Sequence, residues 1–545
     1  MKNQTYQSDV VIVGGGIAGI IAALELLDAG KKVMIIDRDV ESEFGGLAKW
    51  AFGGMFFVNS DHQKKRGIKD NIDLATRDWF SFAAFEATEH WGKEWAKMYI
   101  NHSTPHSYHW LKKNGIDFFP VVHWVERGLY EPGNSVPRFH MVWGTGWELV
   151  RVFKGKLLEH KNRQNLQIHF EHRVNDIITK NDIIVGVNGT LEKDGTPFSA
   201  KAEIVIVATG GINGSIEKVK QNWYKPWGEP PKTILNGSHK YAIGDLHEAT
   251  ERINGNVVNL EKQWNYAAGI RHYAPRKKDH GLSLVPCKSA IWTNYQGKRF
   301  GPMPLVTSFD TRFLVQEICK QPVKYSWQIL NMKIMNKEFA ISGSEHNEAV
   351  RNKNFLKFVK NILLGNPTLI NKIVDNCEDV IVANSLEDLA TQMNSLTGEN
   401  HVTVENLYNS IAPYDAQIDR GEAYHNDEQL RRIAHARQYR GDKVRTSKFQ
   451  KILDKKAFPL VAIREFIVSR KSLGGIQTNL ESQVLTQPNE SGQQETIDGL
   501  YAIGEAAGFG GGGMHGHRSL EGTFLGGCVI SARVAAKSIL GEKLG

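Results

Sequence analysis

The sequence predicts an α/β protein in which both ends of the chain build one parallel sheet and the middle forms an inserted domain of mixed helices and strands. Two observations carry this. Residues 9–37 read as strand, glycine turn, helix and strand, about 30 residues and so the size of a parallel crossover unit. Two further apolar runs, 204–207 and 500–503, also end in glycine-rich turns, while residues 261–471 contain no second glycine fingerprint.

Val10–Val13 is a short apolar, β-branched run, residues 17–27 are dominated by Ala, Leu and Ile, and Gly30 stops the helix before Val33–Ile36. Gly14, Gly16 and Gly19 form G-x-G-x-x-G, and Asp37 follows Gly14 by 23 residues. In such a turn the first glycine allows the tight bend, the second lets backbone N–H groups approach a pyrophosphate, and the third lets helix pack on strand. The helix N-terminus, at Ile17 and Ala18, favours the anion, and an acid at the end of the second strand accepts ribose hydroxyls. Arg38 adjoins that acid. The fingerprint predicts a dinucleotide without choosing between NAD and FAD.

Further along, 44–58 is glycine-rich, 70–116 is helical and aromatic, and 117–147 reads as irregular. A helix is expected over 148–158 and strands at 167–170, 183–187 and 204–207, with Val174 on a neighbouring extended segment. Within 261–471 helices are expected near 346–365, 385–396 and 403–420, and a last helix over about 521–539. Arg138 and His140, ahead of Gly144 and Gly146, are candidates for lining a pocket.

Bulk properties limit the alternatives. The chain has 545 residues, 41% hydrophobic and 10% aromatic, enough to bury a large core. Its net charge of +8 is spread among interleaved acids and bases. Local clusters at 64–66 and 276–278 read as solvated loops or as weak attraction to an anionic membrane surface. No nucleic-acid module or zinc-ligand spacing is present, so neither nucleic acid nor metal is expected. The four cysteines, at 287, 319, 377 and 528, form no C-x-x-C pair, which fits a reducing cytoplasm. The apolar run at 10–27 carries four glycines within six residues and reads as a nucleotide turn in a soluble chain, not as a membrane span.

Two distant segments decide the cofactor. Ala208-Thr209-Gly210-Gly211 closes one strand, and 496–505 ends another at Gly504-Glu505, placing an acid where a ribitol hydroxyl would sit. With these, the chain resembles the fumarate reductase / 3-ketosteroid Δ1-dehydrogenase type of FAD oxidoreductase. Gly45-Gly46 and Gly53-Gly54 look like the glycines that flank the flavin, with Leu47 and Ala48 beside them. Gly244-Asp245, Gly297-Lys298-Arg299-Phe300 and Ser472-Leu473-Gly474-Gly475 resemble further family motifs, and Met514-His515-Gly516 with Leu520 and Gly522 resembles the terminal one.

The resemblance implies a Rossmann-like FAD-binding domain of the glutathione-reductase type, formed by 1–260 and 472–545. An α+β capping domain at 261–471 is inserted into it, with the active site between the two. It implies non-covalent FAD, because Leu47-Ala48-Lys49-Trp50 offers no histidine for attachment. It also places the last helix, from Gly522, Thr523 and Phe524, against the flavin ring, where an N-terminus stabilises negative charge.

The reaction implied is hydride transfer between flavin N5 and a CH–CH or C=C bond next to a carbonyl, on a small steroid-like ketone, an enone or a carboxylate. The electron acceptor is left unassigned. Candidate catalytic residues are Lys471, His517, Arg518, Tyr266 and Arg312. Lys471 replaces the family's histidine, and Arg518 precedes the terminal arginine position, where Ser519 stands. Arg312 follows the G-x-R-F motif at a longer spacing than the fumarate reductase donor. A fumarate-reductase-like enzyme and a non-catalytic flavin-binding protein are the alternatives.

Overall fold

The computed structural model describes residues 4–181, 183–301 and 309–544. The chain forms two compact units, one of residues 1–224, 238–264 and 470–545, the other of 225–237 and 265–469.

The first unit is built on a six-stranded sheet in the order Gln483–Leu485, Thr496–Ala502, Ile204–Val207, Val10–Val13, Val33–Ile36, Leu166–His169. All neighbours are parallel except the pair between the first two strands. Register is set by Val10 opposite both Val33 and Ile204. Alternation along these strands feeds two cores. Val10, Ile12 and Ile206 join the helices Ile17–Asp28, Thr145–Leu158 and Thr523–Ile539 on one face. Val11, Val13, Val205 and Val207 pack on the other against Ile177, Val187, Phe198 and Leu246. Burial on both faces explains why these strands are continuous apolar runs without polar alternation. The second core is roofed by a four-stranded sheet in the order Gln4–Gln7, Pro197–Lys201, Ile183–Leu191, His172–Lys180.

The segment 117–147 is not irregular throughout. Phe118–His123 and Phe139–Val142 pair antiparallel, and Gly54–Phe56 adds a third strand. Pro120 and the glycines at 53 and 54 hide the strand pattern. Gly54 is needed for packing, since a Cβ there would lie 1.7 Å from the Phe139 ring.

Arg138 also departs from the expectation of a pocket-lining residue. It is fully buried, with Nη2 2.7 Å from Asp70 Oδ1 and Nη1 2.6 Å from Asp78 Oδ2. His140 is equally buried, 2.6 Å from Ser60 Oγ, and desolvation pushes its pKa down to about 3. Removing one partner of such a network leaves charge uncompensated in the interior. Arg138→Met is therefore expected to destabilise the fold by about 3–5 kcal/mol, seen as a melting temperature several degrees lower.

The second unit centres on the long strand Leu460–Ser472, which pairs with Ser326–Asn331 and Val380–Ala383 on antiparallel registers. Leu235–Asn236 pairs with it in parallel, which ties 225–237 to this unit. Helices Leu386–Thr397 and Val404–Asp419 lie within it. Among the described residues no helix is long and apolar enough to cross a membrane.

Candidate active site

The turn after Val10–Val13 shows a separate physical reason for each glycine. Gly14 has φ +110°, and a Cβ there would lie 2.4 Å from the Ala208 carbonyl oxygen. A Cβ on Gly19 would lie 2.1 Å from the Gly14 carbonyl oxygen, so helix and turn touch there. Gly16 differs: a Cβ would meet no protein atom within 4 Å. Packing does not demand glycine at 16, whereas close approach of a ligand does. Gly16 is also the N-cap of Ile17–Asp28 and supplies no side-chain cap, leaving the first-turn N–H groups to an anion.

Gly45 backs onto this turn, its N–H donating to the Gly15 carbonyl at 2.9 Å, and Gly46 faces Gly16 with φ +57°. Leu47 and Ala48 begin the short helix Leu47–Trp50 there. Gly53, at φ +91°, abuts Thr145 and Gly146.

Asp37 ends Val33–Ile36 and accepts the Gly15 N–H at 2.5 Å and the Asp39 N–H at 2.7 Å. Burial raises its pKa against those two bonds. Arg38 is held by Glu192 at 2.5 Å and Asp245 at 3.2 Å, and stacks on Tyr241. Burial also works against charge on Asp39, but bonds from His239 and Lys240 outweigh it and hold this carboxyl down at about 2. Val174 is buried on His172–Lys180.

A second set of elements meets at Glu505. The Ala208 N–H bonds the Val13 carbonyl, and Thr209 leads to Gly210, at φ +76°. Gly211 is crowded by Ser472 Oγ and Glu505 Oε1. The Ser472 N–H donates to Glu505 at 2.9 Å. Gly504, at φ +62°, donates its N–H to Ser531 Oγ.

Burial raises the Glu505 carboxyl to about 7, against the Ser472 bond and the charges of Lys471 and Arg470. A carboxyl raised in the folded state contributes stability below its unfolded pKa and loses it as pH rises through about 7. The flavin-free protein is therefore expected to lose roughly 3 kcal/mol between about pH 4.5 and 7.5 from this group. Glu505→Gln should flatten that slope in thermal melts taken across the range.

The helix Thr523–Ile539 starts at Gly522, φ +98°, again without a side-chain cap. Thr523 Oγ1 is 2.8 Å from His515 Nε2 and 3.0 Å from Ser519 Oγ. His515 stacks on Trp79 and packs against Phe524, and desolvation pushes it down to about 3.

Lys471 lies over the Phe524 ring, Nζ 3.9 Å from its centroid. Its burial lowers the ammonium to about 8, while Glu521 and Glu505 pull it upward. Glu521 accepts the Trp264 indole N–H at 2.7 Å. His517 lies 3.1 Å from Glu86, with Tyr224 across its ring, and Arg518 sits over Phe82.

No sequence pattern marks Glu86, Glu89 or Lys262. Lys262 is fully buried, with its ammonium on Glu89 and 3.7 Å from Glu86. Tyr266 and Arg312 belong to the second unit. Tyr266 packs on Leu235, Phe466 and Val468, and Arg312 stacks on Trp227 at 4.5 Å. In the same unit His272, Glu345 and His346 gather their polar atoms within 4.8 Å. The Ala274 N–H donates to His272 Nδ1, which leaves Nε2–H to face Glu345. A metal-bound imidazole needs the opposite arrangement, so this group reads as a hydrogen-bonded cluster.

A largely parallel sheet with an open glycine turn, acids that follow two of its strands and a helix start without a side-chain cap is the arrangement of a dinucleotide-binding α/β protein. Residues 9–525 match the family model described as FAD binding domain, and the chain belongs to that family. It is an FAD-dependent oxidoreductase.

The chain is 38% identical to the KsdD-like steroid dehydrogenase of Mycobacterium tuberculosis, over 97% of this chain and 95% of that protein. It is likewise 38% identical to the KsdD-like steroid dehydrogenase of Mycolicibacterium smegmatis, over 95% and 96%. Its fold resembles the 3-ketosteroid Δ1-dehydrogenase of Sterolibacterium denitrificans solved with 1,4-androstadiene-3,17-dione. The TM-score is 0.67 at 15% identity, over 98% of this chain and 100% of that one. A flavocytochrome c3 fumarate reductase in its open conformation gives TM-score 0.67 at 19% identity, over 99% and 79%.

Proposed function

We propose that this chain is a 3-ketosteroid-dehydrogenase-like enzyme that oxidises a CH–CH bond next to a ketone. The observation that carries this is the near full-length similarity to two KsdD-like steroid dehydrogenases. The first unit is the FAD-binding domain, Rossmann-like and of the glutathione-reductase type, and the second is its capping domain. A cytoplasmic location fits the scattered, unpaired thiols.

The residues present fit FAD. Gly14, Gly16 and Gly19 with Ile17 and Ala18 would hold the pyrophosphate, and Asp37 would receive the ribose. Gly45–Ala48 and Ala208–Gly210 would border the nucleotide, and Glu505 would take a ribitol hydroxyl. Gly522, Thr523 and Phe524 would offer backbone N–H groups to the flavin ring. No histidine lies in 44–50, so the cofactor is held without a covalent bond. Bound FAD supplies the two-electron acceptor for the substrate hydrogen.

The chain itself moves the proton. Lys471 Nζ, lowered to about 8 by burial, is a base suited to remove the proton from the carbon next to the ketone. Glu521, fixed by the Trp264 indole, tunes that amine. His517 and Arg518 would hold the substrate's polar end.

Steady-state assays with an artificial electron acceptor test this reading. Turnover is expected with 3-ketosteroids and not with succinate. Turnover with succinate alone would replace the ketosteroid reading with the carboxylate one.

A further inference from the structure

The second unit carries a helix, Phe355–Leu364, in which no residue is buried. Phe355 is 56% exposed, Leu356 82%, Leu363 63% and Leu364 72%. Four large apolar side chains open to water on one ten-residue helix exceed the scattered apolar exposure normal for a protein surface. On the helical wheel Phe358, Val359 and Ile362, half-buried, turn toward the protein. Leu356 and Leu363 stand on the outward edge, with Lys360, Leu364 and Lys357 next around the helix.

Charge singles out the same surface. Residues 349–374 contain no Asp or Glu, yet hold Arg351, Lys353, Lys357, Lys360 and Lys372. Lys357 pairs with Glu348, just outside this stretch, at 2.7 Å.

We propose that Phe355–Leu364 is a docking helix for an anionic lipid bilayer. Leu356, Leu363 and Leu364 insert among the headgroups, and the surrounding cations contact lipid phosphates. Exposed apolar side chains rimmed by lysines are the pattern of a helix that lies in the membrane interface. A protein partner would have to supply all the complementary negative charge itself, and the apolar residues protrude from a convex helix where a groove would be expected for a peptide. The steroid-like substrate proposed above is itself held in bilayers, so the two readings support each other. Vesicle binding and turnover are measured separately, so either can fail alone.

The test is flotation of the FAD-loaded full chain with vesicles of phosphatidylcholine, alone or with about a third phosphatidylglycerol. Wild type is expected in the floating fraction with the anionic vesicles, much less with neutral ones, and to be released by salt. Leu356→Glu with Leu363→Glu should lower the partition roughly tenfold or more. Lys357→Glu with Lys360→Glu should remove the preference for anionic lipid. All four positions are solvent-facing, so flavin absorbance should stay at the wild-type value. Wild type that stays in solution with both vesicle types at low salt overturns the proposal, whatever the variants do. So does double-glutamate protein that floats like wild type. A lipid-free dimer that the leucine substitutions dissociate would also overturn it, by assigning the patch to a second copy of the chain.

Discussion

Lys471→Met is expected to lower turnover of a 3-ketosteroid by roughly 10²–10³-fold, the range that a positioned proton acceptor contributes, while leaving FAD bound. The side chain lies part-buried over Phe524, and desolvation lowers its pKa to about 8 against the pull of Glu521 and Glu505. Methionine keeps the length and apolar stem and removes only the amine. The sign of the pH dependence follows from the proposed role. A base works in its neutral form, so wild-type turnover should rise as pH increases through about 8 and level off above it. The variant should lose that step. Glu521→Gln removes the charge that raises Lys471 and should move the step to lower pH. A purely structural lysine would change melting temperature and leave the pH step in place.

The second large effect concerns the cofactor. Gly16→Val is expected to weaken FAD binding roughly a hundredfold or more, yet to give a folded flavin-free protein. A Cβ at 16 meets no protein atom within 4 Å, and φ there is −71°, which valine adopts without strain. The added methyl groups would occupy the approach to the turn's N–H groups. Gly19→Val carries the contrasting expectation. Its Cβ would lie 2.1 Å from the Gly14 carbonyl oxygen, so the helix cannot seat and the fold itself fails. Flavin absorbance of purified protein, read beside thermal melts, separates the two.

Much of this architecture was legible in local patterns. The β-branched runs at 10–13, 33–36 and 204–207 are buried on both faces and so are apolar at every position. The last helix was readable because an Ala- and Gly-rich apolar stretch packs on Ile17–Asp28. The strands at 118–123 and 139–142 were hidden because Pro120 interrupts the first and the second is only four residues long.

Long-range pairing is the larger gap. Arg138 finds Asp70 and Asp78 at separations of 68 and 60 residues, and Lys262 finds Glu89 across 173. No period or spacing marks such partners; only the folded backbone brings them together. In the site, the glycines and strand-end acids stood out in the sequence. That Gly45 backs onto Gly15, or that Trp264 holds Glu521, required coordinates.

Anaerobic titration of the oxidised, FAD-loaded protein with a 3-ketosteroid, following the flavin absorbance, tests the central claim most directly. Stoichiometric bleaching is expected together with formation of the α,β-unsaturated product, and no bleaching by succinate. A flavin that stays oxidised with 3-ketosteroids and cyclic enones, and that once reduced is not reoxidised by enones or fumarate, would contradict it.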